Sequence, residues 1–293
     1  ISAAPGCIFF LFVHCRNIFF VLRQLLQYFE TLEQYPGQRM ALLIAGMLFF
    51  WILEGAIPLY KLKFEKNRFS HAGINLVFTL IHLAIHSLLA FLIVVLSDWC
   101  RLNGFGLVYW ANANIFFTII ITVLGLDFFG GWLVHIIQHK VPLLWSFHIV
   151  HHSDKKVDVT TGLRHHPFES VLRGIFFFMG ILATGSPMYA VMIFQTLLVF
   201  VTAFTHANIK LPGNIDNSLS YFLISPNMHK VHHHHKLPYT DSNYGAIFSI
   251  WDRVLGTFKK LHIHQIQYGI DQSTLNDNDE NLGMLMKTPF TKK

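Results

Sequence analysis

Residues 126–152 read LDFFGGWLVHIIQHKVPLLWSFHIVHH. An apolar run ends here in five histidines arranged in two blocks, His135-x3-His139 and His148-x2-His151-His152. Far downstream, His229-x2-His232-His233 repeats the second pattern. On a helix, positions i and i+4 share one face a turn apart. His135 and His139 can therefore serve one metal ion together, or one ion each of two. Adjacent histidines point in different directions on a helix, so His151 and His152 can reach different ions. Eight imidazoles exceed what one ion can use, and two ions sharing an open position is the natural count. Imidazole suits zinc, copper, iron and nickel. Without thiolates, the pattern does not indicate a structural zinc site.

Composition places these blocks in a membrane setting. The chain has 293 residues, of which 53% are hydrophobic and 13% charged. Its mean hydropathy is +0.45. Soluble domains carry about 25% charged residues, so an all-α integral membrane protein is expected. The net charge of +6 reads as orientation signal and contact with the lipid bilayer. No nucleic-acid motif is present, and no nucleic-acid partner is expected. Cys7, Cys15 and Cys100 are odd in number and lack CxxC spacing, which argues against a disulfide framework. Thirteen of the 19 histidines fall between His135 and His235, so the excess is a cluster.

About four transmembrane helices or helical hairpins are expected, with a cytosolic histidine-rich metal-binding cap. Residues 40–60 form the first apolar run of bilayer-spanning length. Lys61, Lys63, Lys66 and Arg68 follow and mark the cytoplasmic side. Residues 74–96 then leave the cytoplasm and residues 113–135 return, which puts the histidine boxes of a multi-pass protein on the cytoplasmic side. Residues 171–205, broken at Gly185-Ser186-Pro187, read as a helical hairpin that brings His206 to the same face. We divide the chain into an N-terminal interfacial segment (1–39, amphipathic over 17–35), a membrane domain with the histidine boxes (40–270) and a mobile polar tail (271–293). Glu54 reads as an interior-facing or interface carboxylate. His82-x3-His86, in the middle of the second span, reads as structural or pore-facing. Asp127, two turns before His135, and also Asp241 and Asp252, are candidates to accept hydrogen bonds from ligand imidazoles. Helix capping, or a salt bridge to a neighbour such as Arg253, is the plainer role for each. Arg164 and Glu169 are expected to form an ion pair.

The motifs HKVPLLWSFHIVHHSD (139–154), VDVTTGLRHHPFE (157–169), FTHANI (204–209) and NYG with WDRVLGTF (243–245 and 251–258) resemble the fatty acid hydroxylase and sterol desaturase superfamily. The resemblance covers about residues 64–258. It implies an oxidoreductase that uses two non-haem Fe ions and O2. The reaction would be hydroxylation, or sometimes desaturation, of a membrane lipid substrate such as a fatty acyl chain, a sterol or an ether lipid. It also implies metal ligation by His135, His139, His148, His151, His152, His229, His232 and His233, with His206 as a further ligand. No catalytic side chain beyond the metal ligands is implied. Fatty acid 2-hydroxylases place another histidine four residues before the one matched by His206. Here that position is Thr202, and His165 or His166 is the candidate to compensate. The run from His232 to His235 permits a register shift of one, but His229, His232 and His233 reproduce the second box. These residues hold no haem or flavin motif, so a separate electron-donor protein is expected. Lys155, Lys156, Lys230, Lys236, Lys259 and Lys260 read first as contacts to anionic lipid headgroups and second as a face that an acidic donor would meet. Two competing functions are a histidine-rich membrane metal transporter and a zinc-dependent membrane hydrolase. Transporter sites lie near the midplane, where only His82 and His86 are placed. A hydrolase of that kind would be expected to carry an H-E-x-x-H motif, which this chain lacks.

Overall fold

The computed structural model describes residues 35–64, 67–271 and 281–291, with positions 24 and 27 in isolation. The expected interfacial helix at 17–35 lies almost entirely outside the described residues. The chain divides into two compact units, residues 1–42 and 43–293, and the second carries the histidine boxes.

Among the described residues, five apolar helical stretches are long enough to cross a membrane, so the protein is a multi-pass membrane protein. The first is α1, Pro36–Ala56. The second, α2, runs from Arg68 to Asn103 and is much longer than the 74–96 expected. Asn67 caps its start by accepting from the Ser70 amide, and Gly104 ends it with a positive φ. The short α3, Leu107–Trp110, comes next. The third stretch is composite: α4 (Ile115–Leu126), a π-helical segment (Asp127–Leu133) and α5 (Val134–Lys140). The region expected as a helical hairpin consists of α7 (Pro167–Thr184) and α8 (Met188–His206). Their outer ends reach beyond 171 and 205, so each is long enough to span alone. Gly185 turns between them with φ of 72°. A side chain there would collide with the Phe105 carbonyl at 2.4 Å, so the α2–α3 loop packs on the hairpin tip.

Short elements build the face that carries the boxes. They are α6 (Pro142–His152), a 3-10 turn (Val159–Leu163), α9 (Gly213–Leu219), α10 (Pro226–His232), α11 (Ile250–Val254) and α12 (Leu282–Lys287). Backbone pairing among the described residues is confined to isolated bridges such as Leu223 with Phe248.

Buried polar links tie this face to the spans. Glu54 is buried, pairs with Arg68, and accepts from the Val159 and Asn208 amides at 3.0 Å each. One carboxylate thus joins the end of α1 to the 3-10 turn and to the exit from α8. Asp154 pairs with His71 at 3.3 Å and accepts from the Thr161 hydroxyl at 2.7 Å. The segment expected as a mobile tail is described over 281–291, where it differs from that expectation. There α12 buries Leu285 against Phe78 and Val150, because Leu282, Leu285 and Met286 give this short stretch one apolar face.

Candidate metal centre

The π-helical segment sets the register of the first box. A π turn closes i to i+5 and so rotates the residues after it relative to a regular α-helix. Asp127 therefore does not share a face with His135. It accepts instead from the Ile247 amide (2.9 Å), the Phe248 amide (3.1 Å) and the Trp251 indole (2.9 Å). Asp252 accepts from the Tyr244 and Gly245 amides at 2.8 and 2.9 Å, and from the Trp132 indole at 3.1 Å. Together the two carboxylates clamp the 244–252 loop to the helix. Gly131 permits the approach, since a side chain there would meet the Ala246 Cβ at 2.9 Å. The Tyr244 carbonyl, held in this way, accepts from His135 Nδ1 at 2.8 Å.

Nine buried histidines converge in two groups. One contains His135, His139, His148, His152 and His232, and the other His151, His206, His229 and His233. Within each group, one nitrogen from every ring lies within 4.8 Å of the rest. The adjacent pairs split, so His151 and His152 fall in different groups, as do His232 and His233. His234 and His235 turn away to the Gln267 backbone.

Hydrogen bonds at the outer nitrogens fix how the inner ones face. His148 Nδ1 bonds Glu169 (2.7 Å), His139 Nδ1 bonds Asp241 (3.2 Å), and His232 Nδ1 bonds the Ser242 carbonyl (2.7 Å). His151 Nδ1 bonds the Arg164 carbonyl (3.2 Å), and His206 Nδ1 bonds the Thr202 carbonyl (2.8 Å). An oxygen acceptor requires Nδ1 to carry the proton, so in a neutral ring Nε2 presents a lone pair. His135 Nε2 and His148 Nε2 then face each other at 3.1 Å with no proton between them. His206 Nε2 and His151 Nε2 do the same at 3.3 Å. Opposed lone pairs at these distances repel unless a cation lies among them. His139 Nε2, His232 Nε2 and both ring nitrogens of His152 and His233 are buried without a hydrogen-bond partner among the described residues. Leaving a buried polar atom unsatisfied costs about 1–3 kcal/mol. Nitrogen donors of this kind fit divalent transition metals.

Burial also keeps these rings neutral, as metal ligation requires. It pushes the pKa of His148 down to about 3, against the pull of Glu169. Burial and the neighbouring imidazoles hold His151, His152, His229, His232 and His233 well below the ordinary histidine value.

Among the sequence candidates, Asp241 touches a grouped imidazole directly. It also accepts from Lys140 at 2.5 Å. Asp127 and Asp252 act through the loop they clamp. His166 does not join the groups; it caps α7 and packs on Phe147. His165 comes closer, stacking on His151 at 4.3 Å. The expected Arg164–Glu169 pair is absent. Arg164 bonds the Val150 carbonyl and Ser153 and lies 3.9 Å from Asp154, while Glu169 binds His148, His165 and Gln138. Lys230 is buried, not surface-exposed. It donates to the Ala207 carbonyl at 2.8 Å, and burial draws its pKa down to about 7. Sequence reasoning missed the role of Glu169 at His148. Its place four residues beyond His165 is the one signal that could have suggested it.

Comparison with known proteins gives a consistent pattern. Residues 119–257 match the fatty acid hydroxylase family. An alkylglycerol monooxygenase of Xenopus tropicalis is 33% identical over 138 residues, covering 47% of this chain and 30% of that protein. The Homo sapiens alkylglycerol monooxygenase is 26% identical over 268 residues, covering 87% of this chain and 55% of its own. An ornithine lipid hydroxylase of Rhizobium tropici is 30% identical over 131 residues, covering 44% of this chain and 38% of its own. The chain thus spans about half the length of these relatives or less. No solved structure matches.

Proposed function

We propose, since this chain belongs to the fatty acid hydroxylase superfamily, that it is an O2-dependent lipid hydroxylase with two non-haem iron ions held by its histidine groups. The observation that carries this reading is the set of converging imidazole nitrogens, whose lone pairs have no proton to share. His135, His139, His148, His152 and His232 would hold one ion. His151, His206, His229 and His233 would hold the other. When bound, the iron supplies O2 activation and the oxidising power to replace a C–H bond with C–OH.

The chain's own residues do the orienting. Glu169 and Asp241 accept hydrogen bonds from His148 Nδ1 and His139 Nδ1, which fixes their tautomers and aims their Nε2 atoms inward. The 244–252 loop does the same for His135 through a carbonyl. Burial excludes water from all nine rings. Neutral imidazoles keep the sites ready for ferrous ions at physiological pH.

The lipid class of substrate rests on the names of the relatives, which act on alkylglycerol and ornithine lipid. Entry from the bilayer suits the exposed apolar surfaces of the spans. The boxes lie on the cytoplasmic side in this reading, because Lys61, Lys63, Lys66 and Arg68 precede the end of α2 that packs near Asp154. Electrons come from a separate donor protein. Lys155, Lys236, Lys259 and Lys260 are exposed and suit an acidic partner.

Iron analysis of protein purified without oxygen tests the reading. About two irons per chain are expected, and fewer in the His151→Ala variant. An iron-free wild-type protein, or an unaffected His151→Ala variant, would sink it. Lipid profiles of cells with and without the protein would then identify the product.

A further inference from the structure

One charged group within a span makes no hydrogen bond or ion pair among the described residues. Arg173 lies six residues past the start of α7, about 9 Å along its axis, inside a stretch apolar enough to cross a membrane. It is half-buried and makes no hydrogen bond or ion pair among the described residues, and its Nε is enclosed without a partner. The nearest carboxylate on its own helix, Glu169, attracts the guanidinium from one turn away but spends its hydrogen bonds elsewhere. Glu169 accepts from His148, His165, Gln138 and the His166 amide. A guanidinium within a span is costly, and such residues face a cavity or a partner.

A polar track runs beside it. His86 is exposed on α2, among the exposed apolar residues Leu83 and Leu88. Its ring lies 6.1 Å from that of His82. His82 bonds the Ser170 hydroxyl and the His165 carbonyl, and His165 stacks on His151 of the second group. His82 meets Ser170 and Leu89 meets Gly174, so His86, between them on α2, falls beside the stretch of α7 that carries Arg173. One residue beyond Arg173, α2 and α7 close together, with Leu89 packed against Gly174.

We propose that Arg173, with His86 beside it, binds an oxyanion head group, phosphate or carboxylate, on the amphiphile that enters between α2 and α7. A guanidinium pairs with such anions through two parallel hydrogen bonds. Because Glu169, one helical turn before Arg173, holds His148 of the first group, the carbon presented to the groups lies near the head group and not at the far end of the chain. Naming this amphiphile as the substrate rests on the hydroxylase reading; the anion site itself does not.

The test is binding without turnover. Iron-loaded full-length protein is kept oxygen-free in maltoside micelles, and its thermal shift is titrated with hexadecyl phosphate, hexadecanol or inorganic phosphate. Hexadecyl phosphate is expected to stabilise the wild type, and the other two are not. Arg173→Gln should weaken hexadecyl phosphate binding by about tenfold to a hundredfold, and Arg173→Lys should recover part of it. Equal shifts from hexadecanol, or unchanged binding by Arg173→Gln at full iron content, overturn the proposal. The second result would mean that Arg173 merely reaches toward bulk head groups. An equal shift from inorganic phosphate overturns the lipid assignment. Arg173-dependent binding in a protein that forms no hydroxylated product keeps the anion site and defeats the hydroxylase reading alone.

Discussion

Two H-x3-H pairs sit on long apolar helices in this protein, with opposite fates. His135 and His139 meet three other imidazoles, and their outer nitrogens are anchored to the Tyr244 carbonyl and to Asp241. In the other pair, His82 spends both ring nitrogens on Ser170 and on the His165 carbonyl, while His86 stays exposed. The spacing is the same, so it cannot be what makes a metal ligand. What differs is whether further donors converge and whether a partner has already taken the inner nitrogen.

Alanine at each pair tests this contrast most directly. On the proposed reading, His139→Ala is expected to lose iron and reduce hydroxylation to background, whereas His82→Ala keeps its full iron content; metal analysis of both variants decides. If His82→Ala loses iron as completely as His139→Ala, the contrast is wrong. The outer anchors come next. Glu169→Gln removes the carboxylate that holds His148, and metal affinity should fall about tenfold to a hundredfold, as read by competition with a chelator. Asp241→Asn should fall less, because Asp241 is partly exposed and shared with Lys140.

Acid gives a third comparison. His148 titrates near 3 in the folded chain and near 6.5 when unfolded. Between those values the unfolded chain binds more protons, so stability falls as pH drops below about 6.5. The other buried box histidines outside the spans shift in the same direction. Metal-free protein should lose up to about 1.4 kcal/mol per pH unit for each such ring, seen as a falling melting temperature between about pH 6.5 and 4. Little pH dependence there would mean that the rings are solvated. The smallest effect is expected at the loop clamp. Asp252→Asn keeps the shape of the side chain but weakens its bonds to the Tyr244 and Gly245 amides. It should cost about 1–3 kcal/mol of stability by denaturant unfolding, with iron retained.

The boxes, the helical membrane class and the resemblance to fatty acid hydroxylases were legible in residues 126–152 and their echo at His229 to His233. Chain chemistry alone does this, because imidazole runs beside apolar spans have few other uses. The polar partners were less legible. Asp127 shares a side with His135 under regular helical geometry, but the π-helical turn changes its phase. Glu169 is near enough in sequence to pair with Arg164, yet folding sets it against His148 from 21 residues away. Lys230 reads as a surface charge and is buried.

Residue types and spacing are enough to say which side chains can donate to metal and that they gather at the ends of membrane spans. The division into five and four, the tautomer of each anchored ring and the exclusion of His82 emerge only from the folded arrangement. The reason is physical. A histidine becomes a ligand when one nitrogen is tied to an oxygen and the other meets convergent donors, and here those oxygens and donors come from segments distant in sequence.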